Sequence, residues 1–244
     1  MSTQPELVRH PDAARLVDAV AEALADRLTS LQAEGRVPRL VLTGGGIADA
    51  VHRSLAALPR AQGPDWRRLE LWWGDERYVE SYSSDRNARQ AHAALLDSVD
   101  VDPSLVHEAP AADSGLPLDQ AAARWAQDFP AEDFDVVMLG IGPDGHTASL
   151  FPGLSQVREA TGDAVWVPDS PKPPPLRLTM TLSRLCRTSE VWFVVSGEGK
   201  AEALSAALAP GADVNEVPAA GPVGRTRTLW WVDEAAASRL PAGA

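Results

Sequence analysis

Apolar side chains recur at helical spacing near the start of the chain and in short unbroken runs further on. Leu16, Val20, Leu24, Leu28 and Leu31 fall on one helical face, and Pro11 and Asp12 ahead of them supply a proline and an acid for a first turn. The run RLVLT, Arg39 to Thr43, predicts a buried strand that ends in three glycines, and Ile47–Leu58 predicts the helix after it. A strand over Arg68–Glu76 and a helix over Asn87–Leu96 follow, then a helix over Leu118–Phe129 and a strand over Phe134–Gly142. The last third reads as strand Ser189–Gly199, helix Lys200–Leu208, strand Thr228–Asp233 and a terminal helix over Glu234–Leu240. Continuous apolar strands alternating with helices belong to a doubly wound α/β fold, with a mostly parallel sheet covered on both faces.

At 244 residues the chain can bury a full core, as one large domain or two small ones. The one candidate linker is Pro168–Arg177, where proline density favours an extended, stiff segment. Cutting there leaves a C-terminal piece of two strands and two helices, too little to cover its own strands. The expectation is therefore a single domain over 1–244, with this segment a loop over its surface. The connection Asp97–Leu118 is also long, and long loops in compact domains are often functional.

A net charge of −12 argues against nucleic acid or an anionic membrane as partner, since both select basic surfaces. It leaves room for a small anionic substrate, because a few local cations and N–H groups can oppose the global sign. The single cysteine, Cys186, removes any intrachain disulfide and any cysteine-rich zinc site, and suits a reducing, cytoplasmic setting. The opening residues carry no apolar leader, and no apolar run is long enough to cross a bilayer.

Four predicted strands end in loops of one character: TGGG, WWGDER, LGIGPDGH and VVSGEGK. In an open parallel sheet the carboxyl ends of the strands face a common crevice, where ligands bind. Gly140, Gly142 and Gly145 satisfy the G-x-G-x-x-G spacing of a dinucleotide site. Pro143 removes an N–H from that cradle, Asp144 adds a negative charge, and Pro152 cuts short any following helix. The better reading is a tight turn that positions Asp144 and His146. A structural histidine is the alternative, but an imidazole beside an aspartate at a strand end suits removal of a proton from water. His10, His52, His92 and His107 have no such setting, and surface or packing roles fit them.

Asp75, Glu76 and Arg77 follow a buried strand, so their charges should stand at the crevice rather than form a merely solvated turn. Thr43, Gly44, Gly45 and Gly46 precede a helix and expose N–H groups, the makings of an anion site. Lys200 opens a helix where the macrodipole disfavours a cation, which points to an anion close by. Arg177, with its planar donors, and Lys172 are further phosphate-clamp candidates, against the alternative of a solvated face, and Asp144 is counted with them among the substrate-binding residues.

The stretch LGIGPDGHTASLFPG resembles the signature of the 6-phosphogluconolactonases, and the resemblance continues through WWGDERYV, SSDRNARQA, PKPPPLRLTMTL and SGEGKAEAL in the same order. It extends from Leu40 to Leu208. It implies a three-layer α/β architecture shared with glucosamine-6-phosphate deaminase. It also implies hydrolysis of 6-phospho-D-glucono-1,5-lactone with neither metal nor cofactor, in the oxidative pentose phosphate route. His146 takes the position of the general base, with Asp75 and Arg77 in the active site. Gly44, Gly45, Arg177 and Lys200 match positions around the substrate and its phosphate. Where the family often has a GGSTP-like loop, this chain has GGGIA, so Gly46 offers no hydroxyl and Ala48 no proline. Phosphate binding then leans on Thr43, backbone N–H groups and basic side chains. An isomerase or deaminase on the same fold, or a non-catalytic sugar-phosphate sensor, are the competing readings. Nothing in the pattern selects between a monomer and a weak dimer.

Overall fold

The computed structural model describes residues 4–59, 61–159 and 161–241. Its centre is a six-stranded parallel sheet built from β1 (Glu6–His10), β2 (Arg39–Leu42), β3 (Glu70–Trp73), β5 (Phe134–Leu139), β8 (Thr188–Val195) and β9 (Arg227–Asp233). The order is β1-β9-β8-β5-β2-β3. A smaller antiparallel sheet, β4 (Asp75–Arg77), β7 (Arg177–Met180) and β6 (Ala164–Val167), lies beside it.

Alternation along the strands divides the core in two. Leu40, Leu42, Val136, Met138, Trp192 and Val194 point to one face and meet α1 (Ala13–Ala33), α2 (Gly46–Ala57) and α3 (Asn87–Ala94). Val41, Val137, Leu139, Val191, Phe193 and Val195 point to the other and meet α4 (Leu118–Asp128), the small sheet through Leu178 and Met180, and α6 (Ala201–Ala207), which follows the one-turn α5 (Leu182–Leu185). The doubly wound, three-layer α/β expectation is met. In α1 the face from Leu16 to Leu31 is buried throughout, and Asp12 caps the helix by accepting from the Arg15 N–H at 2.8 Å.

Several sequence expectations change. The strand read over Arg68–Glu76 is two strands in two sheets, broken at Gly74. There the Gly74 N–H donates to Leu42 in the large sheet at 3.1 Å, and its carbonyl accepts from Met180 in the small one at 2.9 Å. The helix expected over Glu234–Leu240 is only a short 3-10 turn, Ala236–Arg239. Pro11 stands ahead of the α1 cap rather than in its first turn. Strands β1, β6 and β7 went unread, because each is short and because β1 and β7 pair with strands far away in the chain. Pro168–Leu176 is irregular, as expected, and leads into β7.

Candidate active site

The chain runs from β2 outward to β3 on one side and returns to β5 on the other, so the winding reverses between β2 and β5. A crevice opens at the carboxyl ends of these strands, where an open α/β sheet places its ligands. Thr43, Gly44, Gly45, Gly140, Gly142 and His146 line it, together with Asp75, Arg77, Arg177 and Lys200. The four glycine-bearing loops thus converge as their sequences implied.

The loop after β5 is a tight turn and not a cradle leading into a helix. The Gly142 N–H donates to the His146 carbonyl at 2.8 Å, the Gly145 N–H to Gly142 at 3.0 Å, and Gly145 has φ +83°. The Thr147 hydroxyl fastens the turn to the Gly140 carbonyl at 2.9 Å. Gly142 must be glycine for a different reason: a Cβ there would stand 1.9 Å from His146 Nδ1. No helix follows that could present its N-terminus to a pyrophosphate.

His146 is fixed from behind. Its Nδ1 lies 2.5 Å from Asp144 Oδ1, and its ring stacks on Phe151 with centroids 4.5 Å apart. With Nδ1–H given to the carboxylate, the lone pair is on Nε2, which has no hydrogen-bond partner among the described residues. Lys172 completes the group, with Nζ 3.2 Å from Asp144 Oδ1 and 3.1 Å from His146 Nδ1. Burial lowers the imidazole pKa, and Lys172 adds to that. Asp144 and, at longer range, Asp75 oppose it without cancelling it. Burial works to raise the Asp144 carboxyl, but the hydrogen bond from His146 and the charges of His146 and Lys172 leave it lowered. Asp144, placed by sequence among the substrate-binding residues, is therefore the partner of the imidazole. Lys172, placed with the phosphate, has its ammonium on this pair.

Asp75 is buried and held on both oxygens, by Asn87 Nδ2 at 3.2 Å and by the Ser149 hydroxyl at 2.6 Å. The antiparallel register sets Asp75 opposite Thr179 and Arg77 opposite Arg177, so all four side chains share one face of the small sheet. Arg177 spends Nε on the Pro174 carbonyl at 2.9 Å and NH2 on the carbonyls of Lys172 and Pro173 at 3.1 Å each. Its NH1 keeps only long contacts, 3.5 Å to Ser149 Oγ and 4.0 Å to Asp75. Arg177 thus clamps the proline-rich loop that carries Lys172. Arg77 donates from NH1 to the Asp85 carbonyl at 2.6 Å, while its buried Nε has no partner among the described residues.

Sequence reasoning missed Asn87, Ser149 and the supporting role of Glu76. Glu76 is fully buried and accepts from the N–H groups of Arg77, Asn87 and Ala88 at 2.7–2.9 Å, which anchors the start of α3 against the site. Burial pushes its carboxyl up to about 7, against those donors and Arg86. Asn87 stood within a quoted motif, but only the meeting of β4 with α3 brings its amide to Asp75.

Beside the crevice a second cavity of about 190 Å³ is bounded by Gly44–Ile47, Gly140, Ile141, Val194–Ser196 and Lys200. α2 begins here with Gly45 as its cap at φ +103°, and no side chain covers its N–H groups. Lys200 lines both cavities and has no ion-pair partner among the described residues. Burial lowers its pKa, and the Lys172 charge lowers it further. An open helix N-terminus facing an unpaired ammonium is a fitting place for a dianion. Among the described residues no helix is long and apolar enough to cross a membrane, and no cluster of three or more His, Cys, Asp or Glu could hold a metal.

These features define an open-sheet α/β protein with an imidazole-bearing crevice at the strand reversal. The chain belongs to the family of glucosamine-6-phosphate isomerases/6-phosphogluconolactonase, which it matches over residues 11–231. It is 47% identical to the 6-phosphogluconolactonase of Mycobacterium tuberculosis, over 93% of this chain and 92% of that protein. It is 43% identical to that of Streptomyces coelicolor, over 99% and 97%. The crystal structure of 6-phosphogluconolactonase from Thermotoga maritima superposes with a TM-score of 0.82 at 26% identity, covering 94% of this chain and 99% of that one. A monomeric glucosamine-6-phosphate deaminase superposes at 0.81 with 21% identity, over 96% and 99%. The last likeness concerns the fold alone.

Proposed function

We propose that the protein hydrolyses 6-phospho-D-glucono-1,5-lactone to 6-phospho-D-gluconate, with His146 as the base that activates water and with no metal or cofactor. The observation that carries this reading is the imidazole itself: Nδ1 is committed to Asp144, and the unpartnered Nε2 belongs to a ring that lines the crevice. The relatives named 6-phosphogluconolactonase, similar over nearly the whole chain, support the choice of substrate.

In this mechanism Nε2 takes a proton from water as its oxygen bonds to C1 of the lactone. The carbonyl becomes a tetrahedral oxyanion, and the guanidinium of Arg77, which lines the crevice, stabilises that charge together with nearby loop N–H groups. Collapse breaks the bond from C1 to the ring oxygen, which receives the proton back from the imidazolium. The new carboxylic acid then ionises to solvent. A δ-lactone is an activated ester, so no covalent intermediate is required. The phosphate sits against Lys200 and the N-terminus of α2, with Thr43 and Gly44–Gly46 around it, and supplies orientation.

Asp75 serves the sugar and the architecture, since Asp144 already orients the imidazole. An isomerase or deaminase needs a base to move a proton between C1 and C2, and the carboxylate that lines the crevice, Asp75, has both oxygens engaged. The chain acts as one domain over 1–244, and its single cysteine suits the cytoplasm.

The test is His146→Asn, which keeps shape but cannot accept the proton. Turnover of the phosphorylated lactone, corrected for spontaneous hydrolysis, should fall on the order of 10²–10⁴-fold. Affinity for 6-phosphogluconate should change little. A folded variant with near-normal turnover would falsify the assignment.

A further inference from the structure

Asp233 is a buried carboxylate that the mechanism above does not use, and every bond it makes runs to the segment that leads to Lys200 or to the turn beside it. It ends β9 and lies outside both cavities. Its Oδ2 accepts from the Ser196 hydroxyl at 2.5 Å, and both oxygens accept from the Gly197 N–H at 3.0 and 3.1 Å. Oδ1 also accepts from the Ala236 N–H at 2.7 Å. Gly197, at φ +93°, reverses the chain after β8, and its carbonyl receives the Lys200 N–H at 3.0 Å. From Asp233 the path to Lys200 is therefore two hydrogen bonds and one turn.

We infer that Asp233 is the positioning residue of the phosphate subsite, holding the Ser196–Lys200 turn so that the Lys200 ammonium faces the open start of α2. The inference rests on the reading of Lys200 as the phosphate's cation. The physical reason is the lack of any other restraint. Lys200 has no ion-pair partner among the described residues, and the turn before it is glycine-rich, so no ion pair on its own side fixes the ammonium. A charge-assisted anchor from the neighbouring strand supplies that restraint at the backbone. Ser196 lines the subsite, and its hydroxyl proton is given to Asp233, so this serine contributes shape and no proton to the bound anion. Asp233 itself lies outside both cavities, so its effect reaches the site only through the Ser196–Lys200 turn.

The experiment compares Asp233→Ala, Asp233→Asn and Ser196→Ala with Lys200→Met in the full chain. The readouts are kcat and KM for the phosphorylated lactone and Ki for inorganic phosphate. Asp233→Ala should raise KM and Ki together, on the order of tenfold, with kcat within about twofold of wild type. Asp233→Asn, which can still accept from the Gly197 N–H, and Ser196→Ala should give smaller increases of the same kind. A fall in kcat at unchanged KM, or unchanged KM and Ki, overturns the proposal. Should Asp233→Ala not fold, the other two variants carry the comparison, and unchanged constants in both overturn it equally. If Lys200→Met itself leaves KM and Ki unchanged, the phosphate reading fails. If Lys200→Met raises them while the Asp233 variants do not, only the present inference fails.

Discussion

At the scale of single residues, the chemistry of the crevice depends on how an imidazole and an ammonium share one carboxylate. Asp144 accepts from His146 and from Lys172, and the ammonium stands close enough to the ring to oppose its protonation. Burial acts in the same direction. A base must be unprotonated to act, so activity should be lost as pH falls through the imidazole pKa, which lies below the ordinary 6.5. The acid limb of kcat/KM should therefore appear below pH 6.5. Lys172→Met removes the opposing charge and keeps the stem. That limb should move to higher pH, with little change in Ki for inorganic phosphate. A limb that stays in place, or a large selective loss of phosphate binding, would return Lys172 to the role its sequence first implied.

At the scale of elements, the turn after β5 is built around absent side chains. Gly142 does not have a positive φ, so alanine fits its backbone, yet the added methyl would collide with the imidazole. Gly142→Ala should therefore fold with a melting temperature near that of wild type while displacing His146. A kcat loss on the order of 10²-fold is expected from such a misplacement. Steady-state kinetics alongside thermal melting checks both halves, and normal kcat in a folded variant would show that the ring has another place to go. Gly74 works differently. It lets one apolar run serve two sheets, and this turns Asp75 and Arg77 away from the β3 direction to face β7 and the crevice.

At the scale of the whole molecule, acid stability is tied to a histidine remote from the chemistry. His52 is buried in α2 with neither ring nitrogen hydrogen-bonded among the described residues, and burial, against the opposing Asp49 charge, lowers its pKa to about 4. The fold holds it neutral, whereas the unfolded chain takes up a proton below about 6.5. Its contribution is fully present above pH 6.5 and is lost as pH falls towards 4, by about 3 kcal/mol in all. Urea unfolding from pH 7 to 4 should show that loss, and His52→Leu should flatten it. His92, raised by its hydrogen bond to Glu108, works with the opposite sign, so the difference between variant and wild type isolates His52. The single-domain proposal is tested by cutting the chain within Pro168–Pro175. Neither fragment should then give a cooperative unfolding transition alone, and two independently melting halves would refute it.

The sequence by itself determined the longer helices and the buried strands β2, β3, β5, β8 and β9 of the central sheet, because period and apolar run length are local properties that a packed layer must respect. It also determined that glycine-ended loops meet at one edge, which follows from parallel strands alone. Tertiary structure decided what each charge does there. Asp144, Lys172 and His146 are separated by up to 28 residues, and only folding the proline-rich loop back under the Arg177 clamp brings the lysine to the imidazole. The small sheet was equally hidden, since β4, β6 and β7 are three or four residues each and β4 finds its partner across about a hundred positions. Pairings of that range leave no periodic trace in the chain, because the energy that selects them comes from contacts made only after the larger sheet exists.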